Sequence, residues 1–102
     1  MDAATGTGPE VSCRRCGHRI AGATAAIAVT GAHRHDVVNP GGFRYRLGCF
    51  EAAAGCIAAG ETSHEASFFP GYTWQRAFCR RCSRHVGWLF RHKTGVFYGL
   101  IE

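Results

Sequence analysis

Two cysteine pairs constrain this chain more than any other feature: Cys13-x-x-Cys16 and Cys79-x-x-Cys82, separated by 62 residues. Two residues between cysteines let both sulfurs of a tight turn converge on one metal ion. Two such turns supply the four tetrahedral ligands of a closed structural zinc site. The motifs also match each other, Cys-Arg-Arg-Cys-Gly-His-Arg-Ile against Cys-Arg-Arg-Cys-Ser-Arg-His-Val, as a pseudo-symmetric pair of knuckles would. A Zn²⁺ held by Cys13, Cys16, Cys79 and Cys82 would clamp the start of the domain to its last third. The separation is too long for a minimal zinc ribbon. A thioredoxin-like redox site needs one motif where a strand enters a helix, and here two lie in β context.

A chain of 102 residues is one small domain, with a core modest enough for a metal to matter. Its 46% hydrophobic content excludes a disordered chain, and 14 glycines point to turns rather than long helices. No run of 18 apolar residues occurs, so no membrane partner is expected. Met1 to Glu10 is polar and slightly acidic, without the basic start and apolar stretch of a secretory signal. It reads as a flexible tail before a single domain at residues 11–102. A cytoplasmic location is expected, where thiols stay reduced and cysteines serve as metal ligands before disulfides.

The formal charge of +5 falls by two once four thiolates bind Zn²⁺. Arg14-Arg15 and Arg80-Arg81 lie inside the knuckles, where they partly neutralise a four-thiolate centre carrying about −2. Asp36, Glu51, Glu61 and Glu65 interrupt the chain and no long basic run exists. No nucleic-acid partner is expected.

Short strands account for most of the pattern. Thr24 to Thr30 (TAAIAVT) and Val37-Val38 carry β-branched residues and suit strands. Asn39-Pro40-Gly41-Gly42 is a turn in which proline fixes φ at one central position and the next glycine accepts positive φ. Phe43 to Cys49 alternates, with Phe43, Tyr45, Leu47 and Cys49 on one face and Arg44 and Arg46 on the other. Phe50 to Ala59 is ambiguous: Phe50, Ala53, Ala54 and Ile57 have helical spacing, but Gly55 and Gly60 limit any helix to about two turns. Glu61 to Ala66 is a polar loop, and Phe69-Pro70-Gly71-Tyr72 is a second turn. Strands follow at Thr73 to Phe78, His85 to Arg91 and Val96 to Ile101, the last two joined through His92-Lys93-Thr94-Gly95. An all-β domain results.

Cys49 and Cys56 read as small buried apolar residues. A catalytic thiol would need a base or a helix amino terminus beside it, and neither is evident. His85 could replace a metal ligand, but four cysteines already complete the set. Of twelve aromatic residues, seven fall between Phe68 and Phe90. Tyr72, Trp74, Arg76 and Phe78 share one strand face; Val86, Trp88 and Phe90 share a face of the next. The two tryptophans either complete the core or wall a pocket for a flat or cationic ligand.

The run Ser67-Phe68-Phe69-Pro70-Gly71-Tyr72-Thr73-Trp74, the second knuckle, and His85-Val86-Gly87-Trp88-x-Phe90 resemble the thalidomide-binding domain of the cereblon family. Val38-Asn39-Pro40-x-Gly42, Phe97-Tyr98-Gly99-Leu100 and the first knuckle fit the same pattern, so the likeness spans roughly residues 11 to 102. The resemblance implies a fold of two antiparallel sheets pinned by a four-cysteine zinc (a β-tent). It also implies a small-molecule pocket for cyclic imides such as the glutarimide of thalidomide-like drugs, with uridine as a natural candidate. By position, Trp74, Trp88 and Phe68 would be the walls, Phe90 the floor, and Asn39 and Pro40 the mouth. The backbone of Ala66 and Phe68, around Ser67, would bond the imide. The family has tryptophan where this chain has Phe68, and animal cereblons have histidine where it has Ala66.

No Lon-like or ligase-docking part is present in the chain, so no ubiquitin-ligase role is implied. The expectation is a stand-alone binding module of bacterial type, not an enzyme. A pocket-wall tryptophan would be partly exposed, so Trp88→Ala would remove binding and spare the fold. Methionine-sulfoxide reductases of the B type are β-tents too, with a separate nucleophilic cysteine. No Arg-x-Cys-x-Asn-like stretch surrounds Cys49 or Cys56. A zinc-dependent nucleic-acid module would show affinity falling steeply with salt.

Overall fold

The computed structural model describes residues 10–102, so the expected tail lies outside the described residues apart from Glu10, whose carboxylate meets Arg19 at 3.1 Å. Among the described residues eight strands form in chain order: β1 (Val11–Ser12), β2 (Arg19–Ala21), β3 (Arg34–Val38), β4 (Arg44–Phe50), β5 (Cys56–Ala58), β6 (Thr73–Cys79), β7 (His85–His92) and β8 (Gly95–Ile101). They make two antiparallel sheets, a two-stranded β1-β2 and a six-stranded β3-β4-β8-β7-β6-β5. The all-β expectation holds. No helix among the described residues is long and apolar enough to cross a membrane.

Two buried clusters divide the core. One lies beneath the cysteine pairs and contains Cys13, Ile20, Phe50, Cys56, Cys79 and Leu100. The other lies on one face of the large sheet and contains Leu47, Cys49, Phe69, Trp88, Phe90 and Phe97. Residues opposite each other in an antiparallel ladder share a face. Trp74, Phe90 and Phe97 therefore form one cross-strand row, and Arg76, Trp88, Gly99 and Cys49 the next.

Several sequence expectations change. Thr24 to Thr30 is not a strand. A 3₁₀ turn occupies Ala23–Ala25, and the chain then touches β4 at a single bridge, Ala26 to Phe50. β3 already takes that edge of β4 as far as Gly48, leaving only its end for this alanine-rich segment, which bonds through Ile27 N–H to Cys49 C=O at 2.9 Å. Phe43 lies in the turn rather than in β4 and is 67% exposed, whereas Leu47 and Cys49 are buried. In that turn Gly42 N–H bonds Asn39 C=O at 2.9 Å, and positive φ (+87°) falls at Gly42, not Gly41. That is the three-residue hairpin with a glycine bulge. The ambiguous stretch from Phe50 contains strand β5 and no helix. A Cβ at Gly55 would overlap the Arg19 carbonyl, because Gly55 N–H bonds Ile20 C=O at 3.0 Å and brings the two backbones together. Val86 packs in the cluster beneath the cysteines, away from Trp88 and Phe90.

Candidate functional site

The two C-x-x-C turns have one backbone. Cys13 N–H bonds His18 C=O at 2.8 Å and Gly17 N–H bonds Cys13 C=O at 2.8 Å. In the second turn Cys79 N–H bonds Arg84 C=O at 2.8 Å and Ser83 N–H bonds Cys79 C=O at 2.9 Å. Gly17 and Ser83 both take positive φ, +79° and +66°. Each turn thus aims two sulfurs the same way. Cys13 follows β1 of the small sheet and Cys79 ends β6 of the large one, so the pairs meet where the sheets meet.

All four Sγ atoms lie within 4.8 Å of one another, with Cys13 to Cys82 and Cys16 to Cys79 each 3.6 Å apart. Sulfurs bound tetrahedrally at about 2.3 Å are separated by about 3.8 Å, so the set fits one metal ion and is consistent with a zinc site. The acid–base state points the same way. Burial pushes the Cys13 thiol up, but the Cys16 and Arg15 backbone and the neighbouring Cys82 and Cys16 thiols outweigh it, leaving Cys13 at about 6. Burial pushes Cys79 up as well, but the Cys82 and Arg81 backbone groups together with the Cys16 and Cys82 thiols outweigh it and leave it lowered. Cys16 is lowered by the His18 backbone, yet burial and its three thiol neighbours lift it to about 11. Four thiolates this close repel one another. A bound divalent cation removes that repulsion and deprotonates all four.

Cys49 and Cys56 are different. Burial alone pushes Cys49 up to about 11. Burial likewise dominates at Cys56, also about 11, with Arg80 lowering and Cys79 raising it, and the thiol donates to Ala53 C=O at 3.4 Å. Near neutral pH such thiols stay protonated, and the thiolate is the reactive form. Native protein treated with iodoacetamide should leave both unmodified until denaturant is added, as read by peptide mass spectrometry. Labelling of Cys49 in the native state would overturn this account of its burial.

The aromatic residues enclose a second feature, a pocket of about 230 Å³ lined by Pro40, Ser63, Glu65, Ala66, Phe68, Trp74 and Trp88. Phe68 and Trp88 meet edge to face, centroids 5.2 Å apart at 89°. Trp74 is held twice by the preceding loop: its backbone pairs with Ser63 at 2.7 and 2.9 Å, and its indole N–H donates to Glu65 C=O at 2.8 Å. Arg76 lies over the Trp74 ring at 5.4 Å. Ala66 has φ +51°, uncommon for a residue with a side chain and costing about 1 kcal/mol or more. Among the described residues no intramolecular hydrogen bond uses the backbone N–H or C=O of Ala66 or Phe68.

Of the pocket residues named from sequence, the structure brings Pro40, Ala66, Phe68, Trp74 and Trp88 together. Asn39, Ser67 and Phe90 do not line the cavity. Asn39 accepts from Phe43 N–H at 2.9 Å through Oδ1 and shapes the turn that presents Pro40. Ser67 Oγ donates to Phe69 C=O at 3.0 Å and holds the loop. Phe90 is fully buried, stacked on Phe97 at 5.1 Å, with its centroid 6.4 Å from that of Phe68. Ser63 was missed, since a polar loop bridging to a strand leaves no periodic signal, whereas Glu65 was expected near the cage only as a counter-charge.

Trp88 is only 7% exposed, against the expectation of a partly exposed wall. Tyr45 (5.1 Å) and His85 (4.7 Å) also pack edge-on against it, so it is wall and core at once. Burial, with the nearby Arg76 charge, lowers the His85 pKa against the raising contact with the Gly87 backbone, which favours the neutral ring; its Nε2–H donates to Gly87 C=O at 2.9 Å.

No protein-family model matches the chain. Curated relatives do. Cereblon of Drosophila persimilis is 33% identical over 99 residues, covering 86% of this chain and 16% of the relative. Cereblon of Drosophila pseudoobscura pseudoobscura is 32% identical with the same coverage. Chicken (Gallus gallus) cereblon is 42% identical over 53 residues, 52% of this chain and 12% of the relative. This chain is a cereblon-like domain. It spans about a sixth of the length of the Drosophila relatives. The stretch shared with them covers most of the chain, so this cereblon-like domain carries both the four-cysteine cluster and the aromatic cluster on one fold.

Proposed function

We infer that this cereblon-like domain is a small-molecule binding module that takes cyclic imides, or related rings such as uracil, in its aromatic pocket. Zn²⁺ on Cys13, Cys16, Cys79 and Cys82 would serve as a structural ion, holding the two sheets together. One observation carries the ligand reading: a cavity walled by Trp74, Trp88 and Phe68 has, on its rim, the unclaimed backbone groups of Ala66 and Phe68. A glutarimide is a flat neutral ring with CH₂ groups on one side and an acceptor–donor–acceptor edge on the other. Aromatic faces cover the first, and backbone C=O and N–H groups complement the second. The cavity holds about eight water volumes at ~30 Å³ each, room for such a ring. A cysteine-dependent reductase is disfavoured by the depth at which Cys49 and Cys56 lie.

Tryptophan fluorescence titrated with glutarimide-bearing compounds and with uridine tests the reading. A saturable change with glutarimide is expected; no change with either would overturn it. Phe68 presents a smaller face than indole. At about 25 cal/mol per Å², a few tens of Å² of missing contact is worth on the order of 1 kcal/mol. Phe68→Trp should therefore tighten glutarimide several-fold at matched metal content. An unchanged or weaker variant would mean that the pocket is adapted to another, bulkier ligand.

A further inference from the structure

A second concave region lies outside the aromatic pocket. Two adjoining hollows, of about 580 and 340 Å³, have Arg14 and Tyr45 in common, and the cleft comprises both. It runs from β3 and β4, past the first cysteine turn, to the second. Arg44 lines one end and Arg84 the other.

The carboxylates of this cleft already have partners. Asp36 accepts from Arg46 Nε at 2.9 Å, and both oxygens of Glu102 accept from Arg34 Nε at 2.9 Å. Arg14, Arg44 and Arg84 are exposed and have no carboxylate partner among the described residues. Among the described residues, the acids left without a salt bridge, Glu51, Glu61 and Glu65, lie in the 51–65 segment and line neither hollow. Beside the arginines the cleft offers apolar surface: Val38 is 56% exposed, and Tyr45 is half-buried.

We propose that this cleft docks an acidic segment of a partner protein. Carboxylates of the segment pair with Arg14, Arg44 and Arg84, and its apolar side chains rest on Val38 and Tyr45. The guanidinium fork matches a carboxylate with two parallel hydrogen bonds, and an unpaired arginine has this capacity free. An extended peptide spaces its acids freely at ~3.3 Å per residue and can pass Asp36 and Glu102 with uncharged positions. A nucleic-acid strand carries a phosphate at every nucleotide and would set some of them against those carboxylates. Peptide therefore fits the charge pattern better than nucleic acid.

Fluorescein-labelled hexaglutamate, followed by anisotropy at low salt, is the probe. A saturable rise is expected, falling with added salt as exposed ion pairs are screened. The double variant Arg44→Glu/Arg84→Glu should bind roughly tenfold or more weakly. Arg91→Glu, exposed but outside the cleft, should stay within about twofold. Circular dichroism and metal content of each variant establish that the fold is kept, and Arg44→Ala, remote from the cysteines, stands in if the double variant misfolds. Failure of hexaglutamate to saturate would overturn the proposal, as would equal losses in the cleft and control variants. Tighter binding of a labelled thymidine oligonucleotide would overturn it in favour of a nucleic-acid site.

Discussion

Removing the metal from the four-cysteine cluster will unfold this domain. The cluster joins the small sheet to the large one across 62 intervening residues, a long loop whose closure the unfolded chain does not have. Structural Zn²⁺ bound by such sets supplies about 10–16 kcal/mol, while the whole stability of a small domain is about 5–15 kcal/mol. Loss of the ion therefore removes about as much as the fold possesses. It also leaves Cys13, Cys16, Cys79 and Cys82 crowded, with thiols that cannot all ionise near neutral pH. Chelation, or Cys79→Ser, should abolish the native circular dichroism and near-ultraviolet signals. Acid acts in the same direction, because protons compete with the metal for the thiolates, so the chelator concentration needed should fall as pH falls. Purified protein that contains no metal by elemental analysis yet gives the native spectrum would sink this account.

Trp88→Ala should cost about 3–5 kcal/mol of stability, a large part of what the domain has. Its indole is enclosed by Tyr45, His85 and Phe68 and is 7% exposed, so truncation leaves a cavity that β7, paired on both sides, cannot close. Loss of ligand in this variant would therefore not separate a pocket role from collapse of the core. Trp74→Ala is the cleaner probe. That side chain is half-buried at the rim and anchored to the 63–65 loop, and its removal should empty the pocket at smaller cost. Urea denaturation midpoints of the two variants decide the point: wild-type stability of Trp88→Ala would show that Trp88 is wall without being core.

Much was legible from the residues because the signals were local. Two-residue spacing between cysteines, repeated with the same neighbours, dictates a sulfur-bearing turn whatever the rest of the chain does, and both turns have the same hydrogen bonds. Alternation placed Leu47 and Cys49 on one face, and proline–glycine pairs marked the two turns. The segment from Thr24 to Thr30 failed for a non-local reason. Its β-branched residues suit a strand, but the available edge of β4 is one bridge long after β3 has paired.

Side-chain types and spacings by themselves determined the four-cysteine cluster, the all-β class and the likeness to the cereblon family. Only the tertiary structure decided how deep each aromatic residue lies and what surrounds it. Phe90 went beneath the pocket rather than into it, and Trp88 became buried on the cavity's inner side. Ser63 and Glu65 entered the lining because a loop crossed over to pair with β6. Arg14, Arg44 and Arg84, distant in sequence, came to share one cleft while other arginines were matched to Asp36 and Glu102. The physical reason is common to all of these. Local pattern states which way a side chain faces, while burial and pairing depend on which distant backbone arrives opposite it, and that is set by strand order and loop path.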